Sequence, residues 1–188
     1  MNITKKIEEI EKIYKIFDGE VKEFKKGAVC KKGCADCCKQ MARIELTTIE
    51  ALRIGKRIET FEESIRAYIK KRLKKDFQKK KKHLYTTCPF LTKEDSCLIY
   101  TVRPFSCRWI YSLKKCNGGP PLIHRQVFEI AKRTIEKIKK LDYNGYSGHI
   151  SIILWLLENK KFKENYLSGR IDKKITHFFS LYITPNFL

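Results

Sequence analysis

Apolar residues recur at intervals of three and four along much of this chain, a spacing that predicts amphipathic helices. A first helix is predicted from Ile3 to about Phe24, and Gly27 follows it as a stop signal. Its apolar face would consist of Ile3, Ile7, Ile10, Ile13, Phe17, Val21 and Phe24. A second helix is predicted to open in LTTIEALRIGKRI, where Thr47 and Glu50 have the spacing of a capping box.

The same capping pattern recurs at Thr60 and Glu63 and predicts a third helix. The apolar face of that helix would be formed by Phe61, Ile65, Tyr68 or Ile69, Leu73 and Phe77. Helical spacing returns after GGPP at Val127, Ile130, Ala131, Ile135, Ile138 and Leu141. A Gly/Asn loop, DYNGYSGH, is predicted before a short apolar helix around Ile150–Leu157, and a last helix is predicted over roughly Ile171–Tyr182.

Between about Leu84 and Pro121 no period is sustained, and four of the five prolines fall in this segment. The pattern therefore predicts a mainly α fold: a single helical domain over residues 1–188 with two irregular cysteine-rich loop segments that form a metal site. Within it, residues 30–108 would carry the cysteine motifs and residues 122–188 would form a C-terminal helical part.

The composition agrees with one globular domain that needs no disulfide bonds for its stability. The chain has 188 residues, of which 43% are hydrophobic. The start of the chain lacks the continuous apolar segment of a signal peptide, and the longest apolar run, ISIILWLL, is far shorter than the ~18–20 residues of a membrane span. We therefore expect a cytoplasmic protein without a membrane span, in which eight cysteines indicate metal ligands or redox chemistry.

The formal net charge is +20, and much of it lies in Lys70–Lys82, which holds nine basic residues and one acidic residue. Such a run is typical either of a phosphate-binding face or of a solvated lysine-rich helix. We expect the solvated helix, with at most weak, nonspecific binding of nucleic acid or another polyanion.

The candidate chemistry lies in the cysteines, which open with CKKGCADCC at Cys30, Cys34, Cys37 and Cys38. The other four are single cysteines at wider spacing: Cys88, Cys97, Cys107 and Cys116. A zinc ribbon needs two Cys-x2-Cys knuckles, and only Cys34-x2-Cys37 has that form. Dispersed single ligands favour an iron–sulfur cluster, most simply a four-iron, four-sulfur (4Fe–4S) cluster. Two four-thiolate zinc sites are the alternative, if Cys116 and the adjacent pair all serve.

Two arginines close to Cys107 support an anionic centre. Arg103 and Arg108 could offset the charge of a buried thiolate cluster, so we expect them to be cofactor-binding residues. Tyr100 and Trp109 flank the same stretch and are expected to shield the metal from water. The four histidines, by contrast, are scattered without ligand spacing: His83, His124, His149 and His177.

The spacing Cys30-x3-Cys34-x2-Cys37 is also that of radical S-adenosylmethionine enzymes, which place it after the first strand of a βα barrel. Here a helix precedes the loop and no βα alternation follows. Asp36 stands where those enzymes usually have an aromatic residue. We therefore interpret the spacing as coincidental.

Four stretches, CKKGCADCC, IELTTIEALRI, CPFL and CLIYTVRPFSCR, resemble the cysteine-cluster family named for its CxxCxxCC signature, whose domains are thought to chelate zinc or iron. The resemblance covers Cys30 to Arg108 and has three residues rather than two in the first gap. It implies as metal ligands Cys30, Cys34, Cys37, Cys38, Cys88, Cys97 and Cys107. Cys116 lies outside the motif. Related domains occur in flagellin lysine methylases, but this chain has no glycine-rich S-adenosylmethionine loop that would carry the activity over.

Three function classes remain open from the sequence. One is a metalloprotein whose cysteine-ligated centre is structural or redox-active. Another is an enzyme, for example a methyltransferase-related or redox enzyme, that uses the centre. The last is a basic protein associated with nucleic acid or the ribosome. No catalytic residue can be named.

Overall fold

The computed structural model describes residues 2–31, 33–40, 44–81, 86–170 and 182–186. Eight α-helices lie within these residues: α1 (Ile3–Glu20), α2 (Asp36–Gln40), α3 (Thr48–Glu59), α4 (Glu63–Lys81), α5 (Phe105–Arg108), α6 (Arg125–Leu141), α7 (Ile150–Glu158) and α8 (Lys160–Leu167). Short 3-10 turns occur at Glu23–Lys25 and Tyr100–Val102. Three short strands complete the fold: β1 (Glu45–Thr47), β2 (Tyr146–His149) and β3 (Ile183–Pro185). The prediction of a mainly helical protein is confirmed.

The N-terminal half of the helical prediction is mostly correct. α1 starts where expected, with the Asn2 side chain accepting a hydrogen bond from the Thr4 N–H at 3.0 Å. It ends at Glu20, earlier than predicted, and the chain reaches Gly27, whose φ of +80° suits glycine, through a 3-10 turn. The capping box of α3 is present, with Thr47 and Glu50 bonding reciprocally.

The second predicted capping box, at Thr60 and Glu63, is wrong. Thr60 caps the end of α3, and its hydroxyl donates to the Arg57 carbonyl oxygen at 2.8 Å. α4 begins only at Glu63. Because α3 and α4 follow each other so closely, the Thr60 side chain that was predicted to cap the start of α4 instead bonds to the last turn of α3.

The C-terminal half combines helices that the periodicity predicted with strands that it did not. α6 and α7 are present at the expected positions. The segment predicted as a Gly/Asn loop contains β2, which pairs antiparallel with β1 on one side and β3 on the other. The central strand needs Gly148, since a Cβ there would come within 2.7 Å of the Tyr182 carbonyl oxygen. The last predicted helix falls outside the described residues except at Tyr182, which lies in a turn.

Two apolar clusters pack against opposite sides of α3. The larger cluster takes Ala51 and Ile54 from α3 together with most of α7 and the loops that carry the cysteines. The smaller one takes Ile49 and Leu52 from α3 and joins α1 to α6. The single-domain organisation stays a prediction. None of the helices in the described part of the chain is both long and apolar enough to cross a membrane.

Candidate metal centre

The eight cysteines lie on separate stretches of the described structure, and all of them are free thiols. Cys30 and Cys34 precede α2, and Cys37 and Cys38 lie in its first turn. The other four follow α4 in the irregular segment: Cys88, Cys97, Cys107 and Cys116. Within the parts of the chain that the structure describes, no three Cys, His, Asp or Glu side chains are close enough, as they stand, to hold one metal ion.

Four of the thiols lie in or against one apolar cluster and form what we call the inner set: Cys38, Cys88, Cys97 and Cys107. The Cys88 N–H donates to the Cys38 carbonyl oxygen at 2.8 Å, and the thiols of these two residues also interact by a hydrogen bond. An isolated bridge pairs Cys97 with Leu91 across the loop. Cys107, on α5, is close enough to Cys38 and Cys97 for their charges to interact. The inner set thus connects α2, the loop after α4, and α5.

The inner set lies against the larger apolar cluster. Cys88 is 7% exposed and belongs to this cluster, and the other three members of the set pack against it. Ala35, Phe90 and Ile99 are buried in the same cluster. An apolar shell of this kind limits the access of water to a metal site.

Burial and the charges of neighbouring thiols oppose the ionisation of Cys38 and Cys107. The pKa of Cys38 is raised to about 12: the hydrogen bond with Cys37 acts to lower it, but the hydrogen bond with Cys88, burial, and the charges of Cys88 and Cys97 outweigh that effect. Burial is the main cause that raises the pKa of Cys107, and the charges of Cys38 and Cys97 add to it. Four thiolates therefore need a compensating cation here, and metal binding would displace their protons.

Arg103 is the arginine that acts on the inner set. Burial raises the pKa of Cys97, while the Ile99 backbone N–H and the Arg103 guanidinium act in the opposite direction. The guanidinium lies 4.2 Å from the centre of the Tyr100 ring, and among the described residues its buried Nε has no hydrogen-bond partner. An unpartnered buried donor on the arginine that acts on Cys97 fits an anionic thiolate centre.

Arg108 makes its described contacts elsewhere. Its guanidinium donates to the Asp18 carboxylate at 2.6 Å and lies 4.7 Å from the centre of the Tyr14 ring. These contacts fasten α5 to α1. The buried Nε of Arg108, like that of Arg103, has no hydrogen-bond partner among the described residues, and a role of Arg108 in holding a cofactor stays a prediction.

Arg72 holds the turn that carries Cys88, although in the sequence it is only one residue of the basic run Lys70–Lys82. From α4 its guanidinium donates to the Cys88 carbonyl oxygen at 2.9 Å and to the Leu91 carbonyl oxygen. The forked guanidinium thereby fixes both ends of the turn that presents Cys88. Only the placement of an arginine among lysines could have drawn attention to it.

Glu50 positions the short helix that carries Cys107. Its buried carboxylate accepts hydrogen bonds from the Phe105 N–H at 2.7 Å and the Tyr14 hydroxyl at 2.5 Å. It also closes the capping box with the Thr47 N–H at 2.8 Å. One carboxylate thus sets α1, the start of α3 and the start of α5 relative to one another.

Three further thiols form what we call the outer set: Cys30, Cys34 and Cys116. The Ser112 N–H donates to the Cys30 sulfur at 3.2 Å, and the Val29 N–H donates to the Ser112 carbonyl oxygen at 2.9 Å. These two bonds hold the segment that leads to Cys116 beside Cys30. Within the first segment, the Cys34 N–H donates to the Lys31 carbonyl oxygen and closes a turn.

The charges of the outer set interact in the same manner as those of the inner set. The pKa of Cys30 is raised, first by burial and then by the charges of Cys34, Cys116 and Cys37, while the Ser112 N–H opposes the rise. An N–H donated to sulfur is the kind of contact that supports a thiolate ligand. Unlike the inner set, Cys30 and Cys34 are exposed.

Cys37 lies between the two sets. Its sulfur is 4.0 Å from that of Cys38, and its charge acts on Cys30 in the outer set as well as on Cys97 and Cys107 in the inner set. Which of the seven cysteines implied by the family resemblance bind metal stays a prediction, and Cys37 is near members of both sets. Cys116, whose role the motif left open, belongs with the outer set.

The other candidates have mainly structural contacts. Tyr100 is 62% exposed and stacks on Arg103, and Trp109 packs edge-to-face on Phe128 of α6. His124 and His149 cap the N-termini of α6 and α7. His83 and His177 lie outside the described residues.

A comparison with protein-family models matches residues 29–141 to the CxxCxxCC family, described as a "putative zinc- or iron-chelating domain". The matched range includes all eight cysteines. No similar curated protein and no similar solved structure was found.

Proposed function

Because this chain belongs to the CxxCxxCC family, we propose that it is a metal-binding protein whose inner set holds an iron–sulfur cluster. The observation that carries the proposal is that Cys38, Cys88, Cys97 and Cys107 all pack in or against the same apolar cluster, near enough for their charges to interact. Thiolates are the usual ligands of such clusters, and four are needed. Cys38, Cys88, Cys97 and Cys107 supply that number from three segments.

The surroundings of the inner set favour a cluster. Its members are single residues on loops or short helices rather than two paired knuckles, and a cluster can be reached from separate loops because its irons lie apart. The apolar shell would keep water away from the inorganic sulfur, and Arg103 would offset part of the negative charge.

The cluster would have a structural role in this chain. It could also take part in electron transfer. The inner set joins α2 to the loop after α4 and to α5, segments that otherwise have little regular structure between them. When bound, an iron–sulfur cluster supplies one-electron chemistry. Glu50 and Arg72 would hold the ligand-bearing segments in position by the hydrogen bonds described above.

The test is anaerobic purification followed by analysis of iron, acid-labile sulfide and zinc. We expect brown protein with charge-transfer absorbance near about 400 nm and sulfide comparable to iron. Cys107→Ser should lose the colour and the iron, whereas Lys93→Ser, at an exposed lysine between Cys88 and Cys97, should keep both. Colourless wild-type protein with stoichiometric zinc after expression with ample iron would overturn the proposal.

Zinc in the inner set is the second candidate. The set consists of four thiols, which is also a usual ligand set for structural zinc, and the family description names zinc beside iron. The same metal analysis separates this candidate from the cluster, because zinc binding requires no sulfide.

A further inference from the structure

We propose that the chain has a second, separate metal site, in which Cys30, Cys34, Cys37 and Cys116 bind one zinc ion. This inference rests on the proposed metal-binding function and extends it, because it assigns a role to Cys116 and divides the eight cysteines into two groups of four. It is carried by the contacts between the loop before α2 and the loop after α5.

Hydrogen bonds hold the two loops together. Ser112 bonds to both Val29 and Cys30, at 2.9 and 3.2 Å. The Ser112 hydroxyl also donates to the Lys114 carbonyl oxygen at 2.6 Å and accepts from the Leu122 N–H at 2.9 Å, which closes the loop that carries Cys116. Residues that are 82 positions apart in sequence are thereby held side by side.

Local turns fix the backbone of each of the two loops. The Cys34 N–H bonds to the Lys31 carbonyl oxygen, and Gly33 takes a φ of +88°, which a side chain would strain. The Gly119 N–H likewise bonds to the Cys116 carbonyl oxygen at 2.8 Å. These hydrogen bonds fix the backbone next to Cys34 and Cys116.

Cys37 is the fourth ligand of the proposed zinc site. The inner set has four thiols without Cys37, and Cys37 completes the knuckle Cys34-x2-Cys37. Its charge acts on Cys30, so it is within reach of the outer set. The Cys37 and Cys38 sulfurs are 4.0 Å apart, so the two sites would be neighbours at this pair of residues.

The exposure of the outer set decides which metal fits it. Cys30 and Cys34 are exposed, so a metal here would be in contact with water and oxygen. Zinc has no redox chemistry and is not degraded by this exposure, and four cysteine thiolates are one of its usual structural ligand sets. Zinc therefore fits the outer position better than a second iron–sulfur cluster.

The test is the zinc and iron content of the full-length protein and three variants. We expect wild-type protein to hold about one zinc per chain beside its iron. Cys116→Ser should lose the zinc and keep iron and sulfide, and Cys107→Ser should do the reverse. Lys115→Ser, at an exposed residue next to Cys116, should lose neither. Cys116→Ser protein that keeps its zinc would overturn the second site.

The two proposals fail in different ways. If the inner set binds zinc, wild-type protein should hold two zinc ions and Cys116→Ser one, which supports the second site and overturns the cluster. If Cys116→Ser does not fold, the second site can be tested in wild-type protein by measuring which cysteines react with an alkylating agent. A zinc chelator should then make Cys30, Cys34, Cys37 and Cys116 reactive together while the inner set stays protected. Reactivity of these four thiols before chelation contradicts the second site.

Discussion

Arg72 shows how a single side chain can prepare a metal site without touching the metal. Its guanidinium bonds to the carbonyl oxygens of Cys88 and Leu91, so the backbone that presents a ligand is fixed from the neighbouring helix. The side chain also donates to the Tyr68 hydroxyl at 2.9 Å, which limits its own freedom. A lysine at this position could not bond to both carbonyl oxygens in the same plane.

We expect Arg72→Ala to weaken metal retention by roughly 10- to 100-fold, the usual cost of losing a group that orients a ligand. The measurement is the rate at which an iron chelator removes iron from anaerobic protein. Lys71→Ala, at the exposed neighbouring position, is the matched control, and Arg72→Lys should be intermediate. Equal retention in Arg72→Ala and Lys71→Ala would show that the turn needs no support from α4.

The sequence was enough to suggest the cysteines as metal ligands, but it did not show which of them are near one another. Their division into two sets depends on which loops meet, and the decisive contact joins Ser112 to Cys30 across 82 positions. Ser112 has no motif that marks it. The same holds for Arg72, whose partners are backbone oxygens that no sequence pattern displays.

At the scale of elements, local patterns predicted the long helices and missed the strands. Apolar spacing determines α1, α3, α6 and α7 because each buries one face within its own length. β1 and β3 have only three residues each and β2 four, too few to show an alternating pattern. Their pairing, such as Glu45 with His149, joins distant parts of the chain.

α4 carries a group of exposed lysines on one face. Lys70, Lys71, Lys74 and Lys75 are exposed, while Asp76 and Phe77 are buried on the other side. The exposed positions from Lys70 to Lys75 include no acidic residue. We propose that this face binds polyanions weakly and without sequence preference, through the release of counterions.

The double variant Lys70→Gln/Lys74→Gln should reduce the slope of log K against log salt by about 1.8, or about 0.9 for each phosphate that the protein no longer neutralises. The measurement is titration of a DNA duplex at several salt concentrations. Lys132→Gln/Lys137→Gln removes two charges from α6, where Glu129 and Glu136 are also exposed, and should change the slope less. Equal slopes in the two double variants, or tight sequence-selective binding, would contradict the assignment.

At the scale of the whole molecule, Asp142 connects elements from both ends of the chain. Its carboxylate accepts from the Ile49 N–H of α3 at 3.0 Å and from the Tyr166 hydroxyl of α8. Lys6 of α1 lies 3.9 Å away, and the Asn186 side chain donates to the Asp142 carbonyl oxygen at 3.0 Å. Burial raises the pKa of Asp142 to about 7, although Tyr166, the Ile49 N–H and Lys6 act to lower it.

The raised pKa predicts that stability falls as pH rises. The folded protein binds the Asp142 proton more tightly than the unfolded chain, whose aspartates have a pKa of about 3.9. Between about pH 4 and pH 7 the free energy of unfolding should therefore decrease by up to about 1.4 kcal/mol per pH unit through this group. Below that range the contribution is fully present, and above it the loss is complete.

Asp142→Asn is the informative variant, because an amide resembles the protonated acid and does not titrate. Urea unfolding from pH 4.5 to pH 7.5, run at intervals of about half a unit, should show that the variant gains stability relative to wild-type protein as pH rises. Glu20→Gln, at an exposed carboxylate, controls for the loss of one charge. A constant difference between wild-type and Asp142→Asn protein would mean that Asp142 is ionised throughout.

The contact between Asn186 and Asp142 also bears on the order in which the molecule is made. A ribosome releases the chain from its N-terminus, so all eight cysteines emerge before β3 and Asn186. The central strand β2 lacks one neighbour until then, and Asp142 lacks one of its partners. During synthesis the complete complement of thiols is therefore present in a chain whose sheet and buried carboxylate are still unfinished.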